Sequence, residues 1–284
     1  MRGRTLTLTA LLAPLVCVCA SAVAAPPADE IQQLLDIYQR ETGVPVATLS
    51  DDSMGKMIAG KTVYRKVTMT QSDNSRDSTT IRVLGYRVIA KPRESLWLSA
   101  LAFDAGFSRR LTEHFVSIES EGGAQWYQHV NMPWPLRDRH WLIATSKNTS
   151  LTRLTEGKMW EHRWALQENA DAGIREMFAK DTVGELPAEM ADKAILLPKN
   201  NGAWVMATMG DGTTLVVVHA TMDMGGIIPD SLVARQTRKQ LLQMLSKIEA
   251  DSDTAFDRYT SDYLIYRGDG SLIPPRKLSG RTTQ

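Results

Sequence analysis

The most constraining feature of the sequence is an amphipathic segment at residues 230–249, which follows a long series of β-type patterns. At the 100° per residue of an α-helix, its apolar side chains fall on one arc of about 120°. They are Val233, Ala234, Thr237, Leu241, Met244, Leu245 and Ile248. Basic and amide side chains occupy the opposite side. The pattern predicts a long helix that packs one face against a sheet.

The strands predicted before this helix follow one another with almost no helix between them, which is typical of an antiparallel meander. They are expected at residues 125–132, 140–146, 159–167, 202–209 and 213–222. Gly210, Asp211 and Gly212 predict a tight hairpin between the last two strands. Residues 168–194 are compatible with helix but poorly periodic, so we interpret them as an excursion between strands.

The first part of the chain mixes the two periodicities. Helices are predicted at residues 29–41, 94–103 and 109–115, and strands at residues 44–49, 61–70 and 80–90. The polar residues 71–78 predict a surface turn. The chain is therefore expected to form one α+β domain over residues 26–250. Residues 251–284 are polar and aperiodic, and we expect them to be an appended, partly disordered tail.

The N-terminus has the three-part layout of a secretory signal peptide: a basic start, an apolar run and small residues before Pro26. The apolar run is shorter than the roughly 20 residues that span a bilayer. We predict that residues 1–25 are cleaved and that the product is periplasmic or secreted. Cys17 and Cys19 both lie in this segment, so the mature chain would have no disulfide and would depend on its packed core.

The charge balance limits the partners that the chain can attract at long range. There are 33 basic and 32 acidic residues, for a net charge of +1. Such a chain has no overall field to draw it to nucleic acid or an anionic bilayer. No metal-ligand, phosphate-loop or nucleophile motif is found, and the five histidines are interpreted as structural. We predict no cofactor, no metal, no catalytic residue and no nucleic-acid partner.

Three ordered segments resemble motifs of the START (steroidogenic acute regulatory protein-related lipid-transfer) domains. Residues 132–139, MPWPLRDR, resemble a segment with an aromatic between prolines and an Arg that opens the next strand. Residues 225–232, GGIIPDSL, are similar to the entry to the C-terminal helix, and residues 86–97 to a strand that runs into the second helix. The resemblance implies a helix-grip fold: a curved antiparallel sheet around a long C-terminal helix, with an internal apolar cavity.

The resemblance also implies that the last helix closes this cavity. Without the resemblance, ordinary core packing would explain the apolar face of the helix equally well. The ligand contacts predicted on the helix are Val233, Thr237, Leu241 and Met244. The twin glycines before it, Gly225 and Gly226, predict a mobile gate, because glycine gives the backbone freedom to open.

A polar contact is predicted at Arg109 and Glu113, because this stretch resembles an Arg-x-x-x-Asp segment that phosphatidylcholine-transfer members aim into the cavity. The alternative is an exposed i, i+4 ion pair of little energetic weight. On the strand at residues 125–132, alternate side chains face opposite sides, and we predict that the set Trp126, Gln128 and Val130 faces the ligand. For Glu161 and Arg163, an outer-face pair and a polar cavity contact both stay open.

These features predict a monomeric, non-catalytic carrier that binds one lipid, a sterol or a phospholipid, and touches membranes transiently. Burying about 400 Å² of apolar ligand surface is worth on the order of 10 kcal/mol before the costs of association. An enzyme on the same scaffold, such as a cyclase or hydrolase acting on an apolar substrate, is the alternative. A third is a lipid-gated interaction protein whose tail binds a partner.

Overall fold

The computed structural model describes residues 28–46, 49–73, 76–101, 111–118, 123–180, 189–225, 230–259 and 264–275. The predicted signal peptide at residues 1–25 lies outside them. The first half contains α1 Ala28–Thr42, α2 Asp51–Ile58, β1 Val63–Asp73, β2 Arg76–Ile89, α3 Arg93–Leu101, β3 Leu111–Ile118, β4 Ala124–Val130 and β5 Arg139–Lys147. Side-chain caps fix some helix starts: the Ser50 hydroxyl accepts a hydrogen bond from the Ser53 amide at the start of α2.

The second half contains α4 Thr149–Leu154, β6 Met159–Leu166, α5 Ala170–Ala179, α6 Met190–Lys193, β7 Ile195–Leu196, β8 Lys199–Thr208, β9 Thr214–Asp223 and α7 Asp230–Asp251. A 3-10 turn at Ser252–Thr254, α8 Ala255–Arg258, β10 Ile265–Tyr266 and β11 Leu272–Ile273 follow. The described strands form a nine-stranded sheet in the order β1-β2-β9-β8-β6-β5-β4-β3, with β7 beside β5. All pairs along this order are antiparallel, whereas β7 pairs in parallel.

Each face of the sheet carries its own helices, because alternate side chains of a strand point to opposite faces. On one face, which we call the α1 face, helices α1 and α2 pack against β2, β8 and β9. Its buried side chains include Ile31, Leu35, Leu84, Tyr86, Val205 and Val217. On the other, the α7 face, helices α3 and α7 pack against the alternate residues of the same strands. Its buried side chains include Val83, Trp97, Trp204, Val218, Leu245 and Ile248.

Helix α7 touches the sheet most closely at Gly85 on β2. A Cβ atom at this position would lie 2.0 Å from Leu241 Cδ2, so glycine is needed for the approach. The helix packs over β2, β9 and α3, which leaves the β3, β4 and β5 side of the face less covered. A mainly antiparallel sheet with its last long helix across one face is the helix-grip arrangement that the sequence predicted.

The predicted helix at residues 109–115 is wrong over its described part, because residues 111–118 form strand β3. Leu111 pairs with Val130 of β4, and the ladder continues past a bulge after Phe115 to Ile118. The i, i+4 spacing of Arg109 and Glu113 gave a local helical pattern. Pairing with a neighbouring strand overrides such a weak local preference.

Two other local predictions differ from the structure. No strand forms at residues 44–46, where Val44 and Val46 are buried as an irregular segment and the Val46 carbonyl accepts the Tyr86 hydroxyl at 2.9 Å. The polar turn is shorter than residues 71–78, since β1 and β2 stay paired to Asp73 and Arg76. A hairpin arm held by backbone hydrogen bonds needs no apolar alternation, so its polar sequence resembled a loop.

The expectation of a disordered tail fails for residues 251–259 and 264–275. Tyr259, Ile265 and Ile273 are buried in the same cluster as the α7 face. The Trp97 indole N–H donates to the Tyr266 carbonyl at 2.9 Å, and Arg267 pairs with Glu94 of α3 at 2.5 Å. Too few residues lie between the turns for any periodicity, which is why the sequence showed no pattern here. Residues 276–284 lie outside the described residues.

Candidate functional site

An apolar cluster occupies the less covered part of the α7 face, and we call it the β3–β6 cluster. Trp141, Ile143 and Leu197 are buried at its centre. The partly buried side chains around them are Leu111, Trp126, Val130, Trp164, Leu166, Met222 and Met224. Phe115 at its edge is 42% exposed and meets the Trp126 ring edge-on, with centroids 5.4 Å apart. Aromatic and methionine side chains that stay accessible in this way suit a deformable apolar site.

The structure places the predicted strand set on this face. Trp126 is opposite Ile143, Gln128 is opposite Trp141 and Val130 is opposite Arg139 on β5. Directly opposed residues of an antiparallel pair point to the same face. The alternative set with Tyr127 faces away, since the Tyr127 ring packs with Phe178 of α5 on the other side of the sheet. Ligand contact by Trp126, Gln128 and Val130 stays a prediction.

A short polar chain crosses the β3–β6 cluster. The Trp141 indole N–H donates to Gln128 Oε1 at 2.5 Å, and Gln128 Nε2 donates to Glu113 Oε1. Glu113 therefore reaches the α7 face from strand β3, although not from the helix that was expected. Arg109 lies outside the described residues. These hydrogen-bonded side chains place one carboxylate and one amide inside an otherwise apolar surface, where they could bind the polar end of a ligand.

The predicted contacts on α7 fall into two groups. Leu241 is only 3% exposed and sits on Gly85, so it joins helix to sheet in the core. Val233, Thr237 and Met244 are partly buried. The Thr237 hydroxyl is turned back onto the Val233 carbonyl at 2.8 Å, which satisfies its hydrogen bond within the helix.

The predicted gate begins at a glycine that the sheet holds in place. Gly225 has a φ of +65°, its amide donates to Asp223 at 2.8 Å, and its carbonyl accepts from Arg139 at 3.2 Å. The Arg139 guanidinium also bonds to the Met224 carbonyl at 2.6 Å, so a buried cation ties this loop to the start of β5. Gly226 lies outside the described residues, and mobility of the loop stays a prediction.

Sequence reasoning missed a cationic pair at the other end of the α7 face. Lys147 ends β5 and His162 lies beside it on β6, with 2.6 Å between Lys147 Nζ and His162 Nδ1. The Trp97 ring lies above both, 5.5 Å from the Lys147 ammonium. Burial lowers the pKa of Lys147 to about 7, and burial together with Lys147 lowers the pKa of His162 well below its usual value. The signal was a lysine inside the alternation of β5, where Arg139, Trp141, Ile143 and Thr145 precede it on one face.

The α1 face carries a polar network of a different kind. The Tyr38 hydroxyl donates to Glu161 Oε1 at 2.6 Å and lies 2.9 Å from His219 Nε2. The second oxygen of Glu161 accepts from Asn148 at 2.7 Å and pairs with Arg163 at 2.7 Å. Of the two alternatives left open for Glu161 and Arg163, the structure therefore selects the face opposite α7.

This network fixes the proton on His219. Burial and the nearby arginines lower its pKa to about 3, so the ring is neutral at pH 7. Because the Tyr38 proton goes to Glu161, His219 Nε2 must be the donor to the Tyr38 oxygen. A cavity of about 360 Å³ lies beside the network, lined by Glu41, Asn148, Ser150, Leu151, Leu154 and Arg163. Its lining mixes polar side chains with two leucines, unlike the apolar site that the sequence predicted.

Two further properties concern the described residues as a whole. No described helix combines the length and apolar content needed to cross a bilayer. Within the same residues, no three side chains of His, Cys, Asp or Glu come together as a potential metal site.

Comparison with known proteins gives likenesses of structure. No family model and no curated protein sequence matches the chain. Human STARD10 is similar at 12% identity and a TM-score of 0.46, over 73% of this chain and 82% of that one. Human StAR-related lipid transfer protein 5 is similar at 6% identity and a TM-score of 0.46, over 80% and 97%. The Zhui aromatase/cyclase from a Streptomyces species is similar at 12% identity and a TM-score of 0.37, over 68% and 95%.

Solved START lipid-transfer domains are thus among the structures to which this chain is similar. At these identities and TM-scores, neither ligand nor reaction follows from the likeness. Both must be inferred from the residues of the chain itself.

Proposed function

We propose that this chain is a non-catalytic carrier that holds one lipid, a sterol or a phospholipid, between the β3–β6 cluster and helix α7. The single observation that carries the proposal is the partly exposed apolar surface formed by Leu111, Trp126, Val130, Trp164 and Met222. Exposing large apolar side chains to water is unfavourable. An apolar ligand that covers them would contribute about 25 cal/mol per Å² of apolar surface removed from water.

Polar groups within this surface support binding of an amphipathic molecule rather than a plain hydrocarbon. The chain Trp141, Gln128 and Glu113 lies next to the apolar side chains and can turn toward a hydroxyl or a headgroup. Ligand sites are commonly apolar with a few such groups that set orientation. Ligand binding needs no covalent step at these residues.

Exchange with a membrane is supported by the loop between β4 and β5. Trp134 is 92% exposed in this loop, and the loop leads into Arg139, which holds the predicted gate. An indole ring can enter the interface of a bilayer, where its apolar body and N–H are both satisfied. We propose that the protein docks there briefly and as a monomer.

The predicted signal peptide makes the periplasm, or the space outside the cell, the proposed place of action. Export would give the carrier an aqueous compartment to cross between membranes. The intact mass of protein secreted by its host tests this directly. Cleavage after residue 25 is expected, whereas a mass that retains the first residues would contradict it.

Native mass spectrometry after incubation with vesicles tests the carrier function. We expect one intact lipid per protein, released without chemical change. Val130→Glu places a carboxylate in the β3–β6 cluster, opposite Arg139, and should weaken lipid binding by at least about tenfold, since this strongly hydrated group would have to lose water under the ligand. Thr112→Glu is the matched control, because Thr112 is opposite His129 and faces away from the cluster.

Equal loss of binding in both variants, or no lipid in the wild-type protein, would contradict the proposed site. Stoichiometric turnover of an added ester or polyketide would instead favour the enzyme.

A further inference from the structure

The Lys147 and His162 pair lies at the opposite end of the α7 face from Arg139 and the predicted gate. Strand β5 runs from Arg139 to Lys147, and at about 3.3 Å per residue this is a separation of about 26 Å. On the α7 face, the strand presents Trp141, Ile143 and Thr145 in between. We call the Arg139 end, beside the predicted gate, the entrance, and the Lys147 and His162 end the inner end. The side chains between them on β5 are mostly apolar.

The inner end is covered by α3 and the β10–β11 hairpin. Trp97 of α3 lies over Lys147 and His162, and its indole N–H is bonded to the Tyr266 carbonyl. Next to it, Gly268 packs on the Trp160 ring, where a Cβ atom would lie only 2.4 Å from the ring. These contacts cover this end of the face and leave Lys147 and His162 partly buried.

No carboxylate of the described residues lies within ion-pair distance of Lys147. The charged groups on the elements packed around it are already engaged with others. Glu94 pairs with Arg267 at 2.5 Å, and Arg93 lies over the Trp160 ring and bonds to the carbonyls of Gly157 and Lys158. Asp269 accepts from the Ser271 amide and hydroxyl. Among the described residues, the ammonium thus has one hydrogen-bond partner, His162, for three N–H donors.

The contact between Lys147 and His162 limits the charge of the pair. One nitrogen must accept the proton that the other donates, so the two groups together carry at most one positive charge. A partly buried cation without an anion loses hydration that the surrounding apolar side chains cannot replace. An anionic group from outside the chain would do so.

We propose that Lys147 and His162 bind the carboxylate of an acidic lipid, a fatty acid or a sterol-derived acid, at the inner end of the α7 face. The inference rests on the proposed carrier function and names the ligand class. The carboxylate accepts hydrogen bonds from the Lys147 ammonium, and the neutral His162 ring, whose Nδ1 accepts from Lys147, can donate its Nε2–H. The hydrocarbon body lies along Thr145 and Ile143 toward Trp141 and the gate.

Oleate and methyl oleate are the probes, because they share one chain and differ in the negative charge. Isothermal titration calorimetry of the full mature chain at pH 6.5 should give oleate an affinity about tenfold to a hundredfold higher, the range expected for charge-assisted hydrogen bonds. Lys147→Met should abolish this preference, so that oleate and methyl oleate bind with equal affinity. Lys158→Met, an exposed lysine in the turn before β6, should keep the preference.

The wild-type protein offers a second readout that needs no variant. Because an anion stabilises the protonated lysine, oleate affinity should fall as the pH rises above about 7, the pKa of Lys147 in the empty protein. Methyl oleate affinity should not change over the same range. This pH dependence of the wild-type protein tests the carboxylate site even if Lys147→Met fails to fold.

The outcomes separate the two proposals. Equal wild-type affinities for oleate and methyl oleate would overturn the carboxylate site and leave the carrier function standing. Binding of neither probe, or of any vesicle lipid, would overturn both. A preference for oleate that survives Lys147→Met would place the anion site elsewhere and refute the role given to Lys147.

Discussion

Strand β6 places ionisable side chains on both faces of the sheet, and their hydrogen-bond and ion-pair partners differ between the two faces. On the α1 face, Glu161 is 1% exposed and both of its oxygens are bonded, to Tyr38 on one side and to Asn148 and Arg163 on the other. On the α7 face, His162 has Lys147 as its polar partner, and this pair lacks a counter-ion among the described residues. The charge of Glu161 is compensated within the chain by Arg163, although His219 Nδ1 has no hydrogen-bond partner among the described residues. We propose that a ligand compensates the charge of the second arrangement.

A structural network and a binding site differ in this fold by where their charges are compensated. Both are buried polar clusters, and burial shifts the pKa values of members of each. Charge compensation separates them, because Glu161 has a counter-ion within the chain and needs no ligand to offset its burial, whereas no described carboxylate pairs with Lys147. The four predictions that follow run from the largest expected effect on the free energy of unfolding to the smallest.

Removing the cover of the inner end should have the largest effect. Truncation after residue 259 removes Ile265 and Ile273 from the core and exposes Trp97 and Trp160. Burial of large apolar side chains contributes about 1.5–3 kcal/mol each, so the loss should be on the order of 5 kcal/mol. Urea unfolding measures it. Truncation after residue 275 is the control, since it removes none of the described contacts. Equal stability of the two truncated chains would show that the hairpin is not part of the fold.

Acid should weaken the α1 face next. The pKa of His219 is about 3 in the folded protein because of burial and the nearby arginines, against about 6.5 when unfolded. A lowered pKa means that the unfolded chain binds the proton more tightly, so this contribution is present above pH 6.5 and is lost as the pH falls toward 3. The loss should reach about 3 kcal/mol at pH 4. Denaturant titrations between pH 7 and 4 measure it, and His219→Gln should flatten the slope. An unchanged slope in the variant would rule out His219 as its source.

Tyr38→Phe should cost about 2 kcal/mol, because Glu161 and His219 each lose a buried hydrogen-bond partner. Lys147→Met on the opposite face should be neutral or stabilising, since it removes a buried cation that has no anion. Thermal unfolding of the two variants side by side compares the faces directly. If Lys147→Met is the more destabilising change, the contrast between the two faces is wrong.

Trp134→Ala should change the free energy of unfolding by less than about 0.5 kcal/mol, because the side chain is exposed. It should slow lipid transfer between vesicles severalfold while leaving the equilibrium affinity unchanged. Stopped-flow transfer of a fluorescent lipid measures the rate. Leu154→Ala is the control, as another exposed apolar residue that lies on helix α4. Equal transfer rates for Trp134→Ala and the wild-type protein would remove this loop from membrane docking.

Much of the fold could be predicted because its elements carry their own periodicity. The alternation of β4, β5, β6, β8 and β9 and the apolar arc of α7 each show in a single window of sequence. The strand register then follows, and it places Trp126, Gln128 and Val130 on the α7 face as expected. Contacts between elements left weaker traces. Residues 111–118 are a strand because they pair with β4, and the hairpin after Tyr259 is ordered because it packs on Trp97 and Trp160, which are distant in sequence.

The site could be predicted only in part for the same reason. In the sequence, Lys147 is an ordinary lysine at the end of a strand. Its surroundings come from α3 and the β10–β11 hairpin, which are distant in sequence. Glu113 was expected to contact the ligand from a helix, and it reaches the α7 face from a strand instead. Glu161 could not be assigned to a face, because register alone decides between neighbours one residue apart.

The central claim is that a lipid lies on the α7 face, against β4, β5 and β6. A fatty acid with a diazirine at mid-chain, bound to the full mature chain and irradiated, tests it most directly, with the labelled residues identified by peptide mass spectrometry. The account predicts labels on Trp126, Ile143 and Trp164, and their loss in Val130→Glu. Labels on α1-face residues such as Leu151 and Leu215, unchanged in Val130→Glu, would contradict it.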